Sequence, residues 1–325
     1  MSMGSNAMQL PRIDFSGIDP SAPGAGAWPA VRAQVMDALT TFGCFDAHYP
    51  ALTPELRAAL LDGAIRPLFS LPADVKRRNY VGPELPFHGY LGGRPGVDGY
   101  ESLAIVDGDE AEHIRAFADL MWPDSDDAGN KARFCEAVRG ASTRIVELEA
   151  AVRRMAMEGL GVANSPGVLS DEVTWHLFRM AEYKAPGAAE KEVVRYGSHQ
   201  DANFLSVVCQ HEVDGLEVQT KGGEWIPVKL TPTSLVVMVG NTLRAWTNER
   251  LHSPFHRITV TGDVTRHSAI LFSIPKFSMI QAPDELVDDE HPPRFKRYDY
   301  EEFVRFCVSE EGARHEDKLK AYCGV

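Results

Sequence analysis

Beyond about Glu172 the apolar period of the chain changes from near four to two, and this switch constrains the fold more than any other feature. WHLFRMAEY, FLSVVCQ, LEVQTKGGEWIPVKL, SLVVMVG, FHRITV and HSAILFSIP are short β-type segments divided by Gly, Pro, Asp and Asn. Gly222 and Gly223 stand where a hairpin would join LEVQT to WIPV. Strands this short and this regularly spaced predict a double-sheet barrel or sandwich.

The first half follows another rule. WPAVRAQVMDALTTFG places Val31, Val35, Ala38, Leu39 and Phe42 at helical spacing, with Gly43 as the stop. CFDAHY reads as a short strand, and Thr53 caps a second predicted helix through LTPELRAALLDGAIRPLFSL, with Pro54 at its first position. Pro83 to Tyr100 is too rich in Gly and Pro for a regular element and is expected to be a loop able to shape a pocket. From Asp109 to Leu160 the helical pattern returns, with Phe134, Val138, Ile145, Leu148, Val152, Met155 and Leu160 tracing one stripe; Met155 and Met157 read as packing. Such a stripe needs a surface to cover, and the β unit supplies one. We therefore expect a mostly helical region over 1–170, a β core over 171–280 and a helical cover over 281–325, joined in one integrated unit.

The balance of 33 Lys plus Arg against 46 Asp plus Glu gives a formal charge of -13, which repels phosphate backbones and argues against nucleic-acid or anionic-membrane binding. Five scattered cysteines without a C-x-x-C pair read as thiols in a reducing compartment. No basic-then-apolar leader and no run of 18 apolar residues is present, so the expectation is a cytoplasmic, monomeric protein away from membranes. Trp225 and the EVDGLEV segment are expected to stabilise the β core, and Cys209 to be a packing residue.

Chemistry concentrates in the strand region. In an extended segment i and i+2 share a face, so His199 and Asp201 project together, and a neighbouring strand can bring His256. Two imidazoles and one carboxylate on one face of an octahedron suit non-haem Fe(II) and leave positions for oxygen and an organic co-substrate. The pattern alone also arises by accident in a chain with 11 histidines. Ten residues beyond His256, Arg266 and Ser268 again show i,i+2 spacing; a guanidinium fork and a hydroxyl could anchor a carboxylate, or could be a surface pair at a strand start.

With these motifs in place, the chain resembles the plant-type 2-oxoglutarate and Fe(II)-dependent dioxygenases, related in fold to isopenicillin N synthase. The resemblance spans LPRIDFS, GCFDAHY, LFSLPADVKRRN and FRMAEYKAP, then the ordered H-x-D, DGLEV, GEW-x-PV, VGN, HR and R-x-S motifs. It implies a mainly β fold with flanking helices around a double-stranded β-helix (jelly-roll, cupin-like) core. It further implies His199, Asp201 and His256 as iron ligands, and Arg266, Ser268 and Tyr183 as residues holding 2-oxoglutarate. Ala181-Glu182-Tyr183-Lys184 stands where many relatives read N-x-Y-P. GCFDAHY, VRRMAMEGLG and EVDGLEV look closest to the AOP-type branch of plant specialised metabolism.

The implied reaction spends 2-oxoglutarate and O2, with ascorbate as a supporting reductant, to oxidise a small specialised metabolite, hormone or xenobiotic. Hydroxylation is the leading outcome, with dealkylation and desaturation as variants. Candidate substrate contacts are Phe87, His88, Leu103, Phe178, Phe204, Trp246, Phe255 and Ile274, most of which also read as packing residues. The competing reading is a cupin-like protein that binds or senses a small molecule without turnover.

Overall fold

A computed structural model describes residues 8–93, 98–124, 128–163, 174–187, 190–210, 212–229 and 231–325. Its strands are β1 (Arg12–Asp14), β2 (Cys44–His48), β3 (Leu91–Gly92), β4 (Tyr100–Val106), β5 (Thr174–Tyr183), β6 (Glu192–His199) and β7 (Leu205–Gln210). There follow β8 (Leu216–Gln219), β9 (Trp225–Pro227), β10 (Ser234–Val239), β11 (His256–Thr261), β12 (Arg266–Pro275), β13 (Met279–Ile280) and β14 (Tyr298–Asp299). The large sheet runs β1-β2-β10-β7-β12-β5-β4-β3 and the small one β6-β11-β8-β9, with β13 and β14 paired apart. Val208 and Val236 of the large sheet share a buried cluster with Leu216, Val218, Ile258 and Val260 of the small one, so the two sheets enclose a barrel interior.

Period-two alternation sorts every strand of the large sheet. Gln210, Val208 and Ser206 on β7 pair with Ser268, Ile270 and Phe272 on β12 and face inward. Leu205, Val207 and Cys209, with Ala269 and Leu271, face outward and share one core with helical residues. Those helices are α1 (Trp28–Thr41), α2 (Pro54–Ala58), α3 (Arg66–Phe69), α4 (Ala73–Lys76), α5 (Ala111–Met121) and α6 (Ala128–Gly159). On α6 the expected stripe of Phe134, Val138, Ile145, Leu148, Val152 and Met155 is buried, each aliphatic worth about 1.5–3 kcal/mol of transfer free energy. Later come α7 (Asn241–Trp246), α8 (Tyr300–Val308) and α9 (Lys318–Cys323).

Three local differences from the sequence reading have physical causes. The region over 1–170, expected to be mostly helical, also supplies β1 to β4, which cover what would otherwise be raw edges at β10 and β5. The second predicted helix starts as expected, with the Thr53 hydroxyl accepting from Leu56 N at 3.2 Å, but widens into a π-helical stretch over Ala59–Ile65. Pro67, which has no N–H and crowds the preceding turn, accounts for that loosened ladder. The Gly222-Gly223 hairpin forms, with Gly223 at φ +90°, yet Trp225 is half-exposed and stacks with the Arg257 guanidinium at 4.2 Å instead of filling the core.

One glycine ties the helical layer to the site. Gly43 ends α1 at φ +74°, and a Cβ there would come within 2.1 Å of the His252 carbonyl. The close approach holds the segment leading into His256 against the end of α1.

Candidate metal and co-substrate site

His199 closes β6 and His256 opens β11, and the two are direct antiparallel partners. A register shift between His256 and Ile258 bulges the ladder beside them, a common device for re-aiming a side chain. Asp201 lies just past the end of β6, where its carbonyl accepts from Asn241 N at 2.7 Å and so anchors on the first residue of α7. One ligand atom from each of His199, Asp201 and His256 falls within 4.8 Å of the others. His199 Nε2 and His256 Nε2 stand 3.5 and 3.7 Å from the same oxygen, Asp201 Oδ1.

The other ring nitrogens explain this orientation. His199 Nδ1 is 2.9 Å from the Gly197 carbonyl and His256 Nδ1 is 3.4 Å from the Pro254 carbonyl. A carbonyl only accepts, so each Nδ1 carries the proton and each Nε2 presents a lone pair to the shared centre. The Ser206 hydroxyl donates to Asp201 Oδ2 at 2.5 Å, leaving Oδ1 directed at the imidazoles. Burial pushes the Asp201 carboxyl up, but His256, His199 and Ser206 outweigh it and hold the group below the usual carboxylate range. Burial, with His199 beside it, lowers His256 to about 4, so its imidazole is neutral at neutral pH. An ionised carboxylate and imidazole lone pairs are the donor set that Fe(II) takes.

A second cluster lies deeper in the barrel. Arg266 opens β12 opposite Tyr183, and its guanidinium is 4.9 Å from the Tyr183 ring. Arg266 is fully buried; its Nη2 donates to Gln210 Oε1 at 2.9 Å, while Nε and Nη1 have no hydrogen-bond partner. Ser268 Oγ and Gln210 Nε2 are likewise buried and unpartnered. Burial pushes the Tyr183 phenol up to about 12, so it remains protonated and able to donate. Unspent donors around a buried cation are costly unless an anion joins them, and a carboxylate such as that of 2-oxoglutarate fits this need.

The substrate candidates from the sequence do not converge on one surface. Strand alternation carries Leu103 and Phe178 to the outer face, into the core beneath the helices and away from the barrel interior. His88 stacks with Trp175 at 5.2 Å, and the Phe87 carbonyl accepts from Arg179, which places both loop residues against β5. Phe204 packs at 5.9 Å from Phe277, Trp246 is buried on α7, and Ile274 is buried near the end of β12. Phe255 precedes His256 and offers its carbonyl to Gln219 N at 2.8 Å. Sequence reading missed Ser206 and Gln210, although polar residues at alternate positions of the apolar run LSVVCQ mark an inward face. It also missed Tyr196, whose ring meets His199 edge-on at 4.7 Å.

Comparison with known proteins agrees with this geometry. The model of the 2OG-Fe(II) oxygenase superfamily matches residues 175–275. A probable 2-oxoglutarate-dependent dioxygenase, AOP1.2 of Arabidopsis thaliana, is 41% identical over 98% of this chain and 97% of its own length. The dioxygenase for auxin oxidation in rice shares the fold at a TM-score of 0.79, with 31% identity across 97% of this chain and 100% of that one. JOX2, crystallised with 2OG, Fe and JA, reaches a TM-score of 0.77 at 21% identity over 98% of this chain and 90% of that one, a likeness of fold. A near full-length relative at this identity, on a barrel that gathers two imidazoles, a carboxylate and a buried guanidinium, places the chain in the 2-oxoglutarate/Fe(II)-dependent dioxygenases.

Proposed function

We propose that this chain oxidises a small organic metabolite or hormone-like compound, with hydroxylation as the primary outcome. In this reading His199, Asp201 and His256 hold Fe(II), and Arg266, Ser268 and Tyr183 hold the distal carboxylate of 2-oxoglutarate. The observation that carries it is the pairing of a convergent His-Asp-His set with buried, unpartnered guanidinium and hydroxyl donors in the same barrel. Iron and 2-oxoglutarate bound there supply an O2-derived oxidant that removes a substrate hydrogen, with succinate and CO2 as co-products.

The chain's own residues supply position. Ser206 and the Asn241 N–H fix the Asp201 carboxyl and its main chain, and the Gly197 and Pro254 carbonyls fix the imidazole tautomers. Tyr183 lies over Arg266 and shields it from water. The dioxygenase for auxin oxidation in rice supports a small hormone-sized substrate. We read residues 1–170, 171–280 and 281–325 as one working unit, because their buried side chains belong to one continuous core. A monomer away from membranes is the companion reading; among the described residues no helix is long and apolar enough to cross one.

The test is an anaerobic titration with Fe(II) and 2-oxoglutarate, then O2 addition and mass spectrometry over a substrate panel. Oxygen-dependent succinate with a product 16 mass units heavier is expected for hydroxylation, about the mass of one oxygen atom. Tight small-molecule binding with no succinate would instead indicate a binding protein.

A further inference from the structure

The inner face of β12 is partly open to solvent beside one buried cation. On β12 the outward Ala269 and Leu271 are buried, whereas the inward Ile270 and Phe272 keep partial exposure, as does Trp175 on the adjoining β5. A side chain on the inner face of a strand paired on both sides reaches solvent only where the interior is open. Arg179 is the direct cross-strand partner of Ile270 and faces the same opening.

Arg179 is only 4% exposed, and its bonds go to neutral groups. Nη1 donates to Ser102 Oγ at 2.6 Å and to the Gly89 carbonyl at 3.4 Å, and Nη2 donates to the Phe87 carbonyl. Among the described residues no carboxylate lies within ion-pair distance of it and Nε makes no hydrogen bond. Apart from Arg266, which also bonds only a neutral partner, other buried cations differ. Arg153 faces Glu149, Lys76 faces Glu101, and Arg244 faces Glu249 and Asp317. Arg57, the comparable case without a close carboxylate, spends Nε, Nη1 and Nη2 on three carbonyls.

A second polar atom lies nearby: His88 Nδ1 is buried without a partner, and the ring stacks on the partly exposed Trp175. Burial, then the Arg179 charge, hold the His88 imidazole below its ordinary value, so it adds no competing cation. Side-chain contacts link Arg179 to the triad: Ser102 Oγ accepts from Tyr100, Tyr100 meets Tyr196 edge-on at 4.9 Å, and Tyr196 meets His199. The backbone of Arg266 lies four cross-strand pairs away, about 13 Å along the strand.

We propose that Arg179 anchors a carboxylate on the primary substrate, which makes the substrate class small organic acids with an apolar or aromatic body lying along Ile270, Phe272 and Trp175. This rests on the oxygenase reading and sharpens it. The test uses the full chain with phenylacetate, 3-phenylpropanoate and indole-3-acetate, each against its amide. Affinities are measured anaerobically by calorimetry, and substrate-stimulated succinate formation is followed after O2 addition.

The wild type is expected to bind at least one acid about tenfold more tightly than its amide, the scale of one charge-assisted contact. Arg179→Gln should erase that preference, raising the KM of the acid about 30-fold or more while leaving that of the amide within about threefold. Arg179→Lys should restore part of it. A wild type that prefers no acid over its amide overturns the assignment whether or not the variants fold. So does an Arg179→Gln enzyme that loses acid and amide equally, which would make Arg179 a prop for the Phe87 to Gly89 loop. Absence of any 2-oxoglutarate decarboxylation by the wild type would sink the oxygenase reading instead, and the binding comparison would still decide the anchor.

Discussion

His199 and His256 turn the same nitrogen toward the same carboxylate oxygen because a main-chain carbonyl claims the other nitrogen of each ring. Asp201 is steered in turn by Ser206. On the proposed iron assignment, Asp201→Ala removes one ligand and is expected to abolish Fe(II) binding and succinate formation while leaving far-UV circular dichroism intact. Ser206→Ala leaves all three ligands in place, so Fe(II) affinity in an anaerobic titration should fall by about 10 to 100-fold without disappearing. Arg266→Met should raise the KM for 2-oxoglutarate by about 100-fold. Because Arg266 is a buried cation with unspent donors, the same variant without 2-oxoglutarate should unfold at a temperature no lower than the wild type. A large drop in its unfolding temperature would show that the residue serves the fold first.

At the scale of elements, α6 is fastened to β5 by charge as well as by its apolar stripe. Glu149 is fully buried, bonded by Arg153 Nε at 3.1 Å, with His176 Nε2 at 3.9 Å, and His176 Nδ1 sits 3.1 Å from Asp109. Burial alone would lower the His176 pKa, but Asp109 and Glu149 raise it to about 9; burial opposes ionisation of Glu149, but Arg153 and His176 take it down to about 2. The raised His176 contributes stability that is full below its unfolded value near 6.5 and is lost as pH climbs through about 9. The lowered Glu149 contributes above about 4.5 and is lost as pH falls toward 2. Urea midpoints should therefore decline between pH 6.5 and 9, and His176→Phe should flatten that decline. Glu149→Ala strands two buried cationic groups and should cost about 3–5 kcal/mol. None of this was legible in the sequence, where Glu149 and Arg153 look like an ordinary i,i+4 surface pair on a helix and only the position of α6 against β5 buries them.

At the scale of the whole molecule, the H-x-D and R-x-S spacings were legible because strand periodicity is local, and the sorting of side chains follows it. Which residues line the inner face beside Arg179 was not. Leu103 and Phe178 read as pocket residues by character, but the register of β4 with β5 sends them to the helix-covered face, and Arg179, one position from Phe178, takes the inner one. Register is a property of paired strands, and no single segment declares it. The helical layer and the barrel share one core, so Leu148→Ala on α6 should cost about 2–5 kcal/mol and lower the unfolding midpoint reported by barrel and helix probes alike. Separate transitions would argue for independent units.

The gradient of exposure along β12 also sets traffic. Arg266 and Ser268 are sealed, while Ile270 and Phe272, further along the same strand, keep partial exposure. If 2-oxoglutarate seats at Arg266 and the substrate at Arg179, as proposed, the co-substrate binds first and succinate leaves after the oxidised product. Steady-state kinetics should accordingly show inhibition by high substrate that added 2-oxoglutarate relieves, the mark of a vestibule that serves its occupants in order of depth.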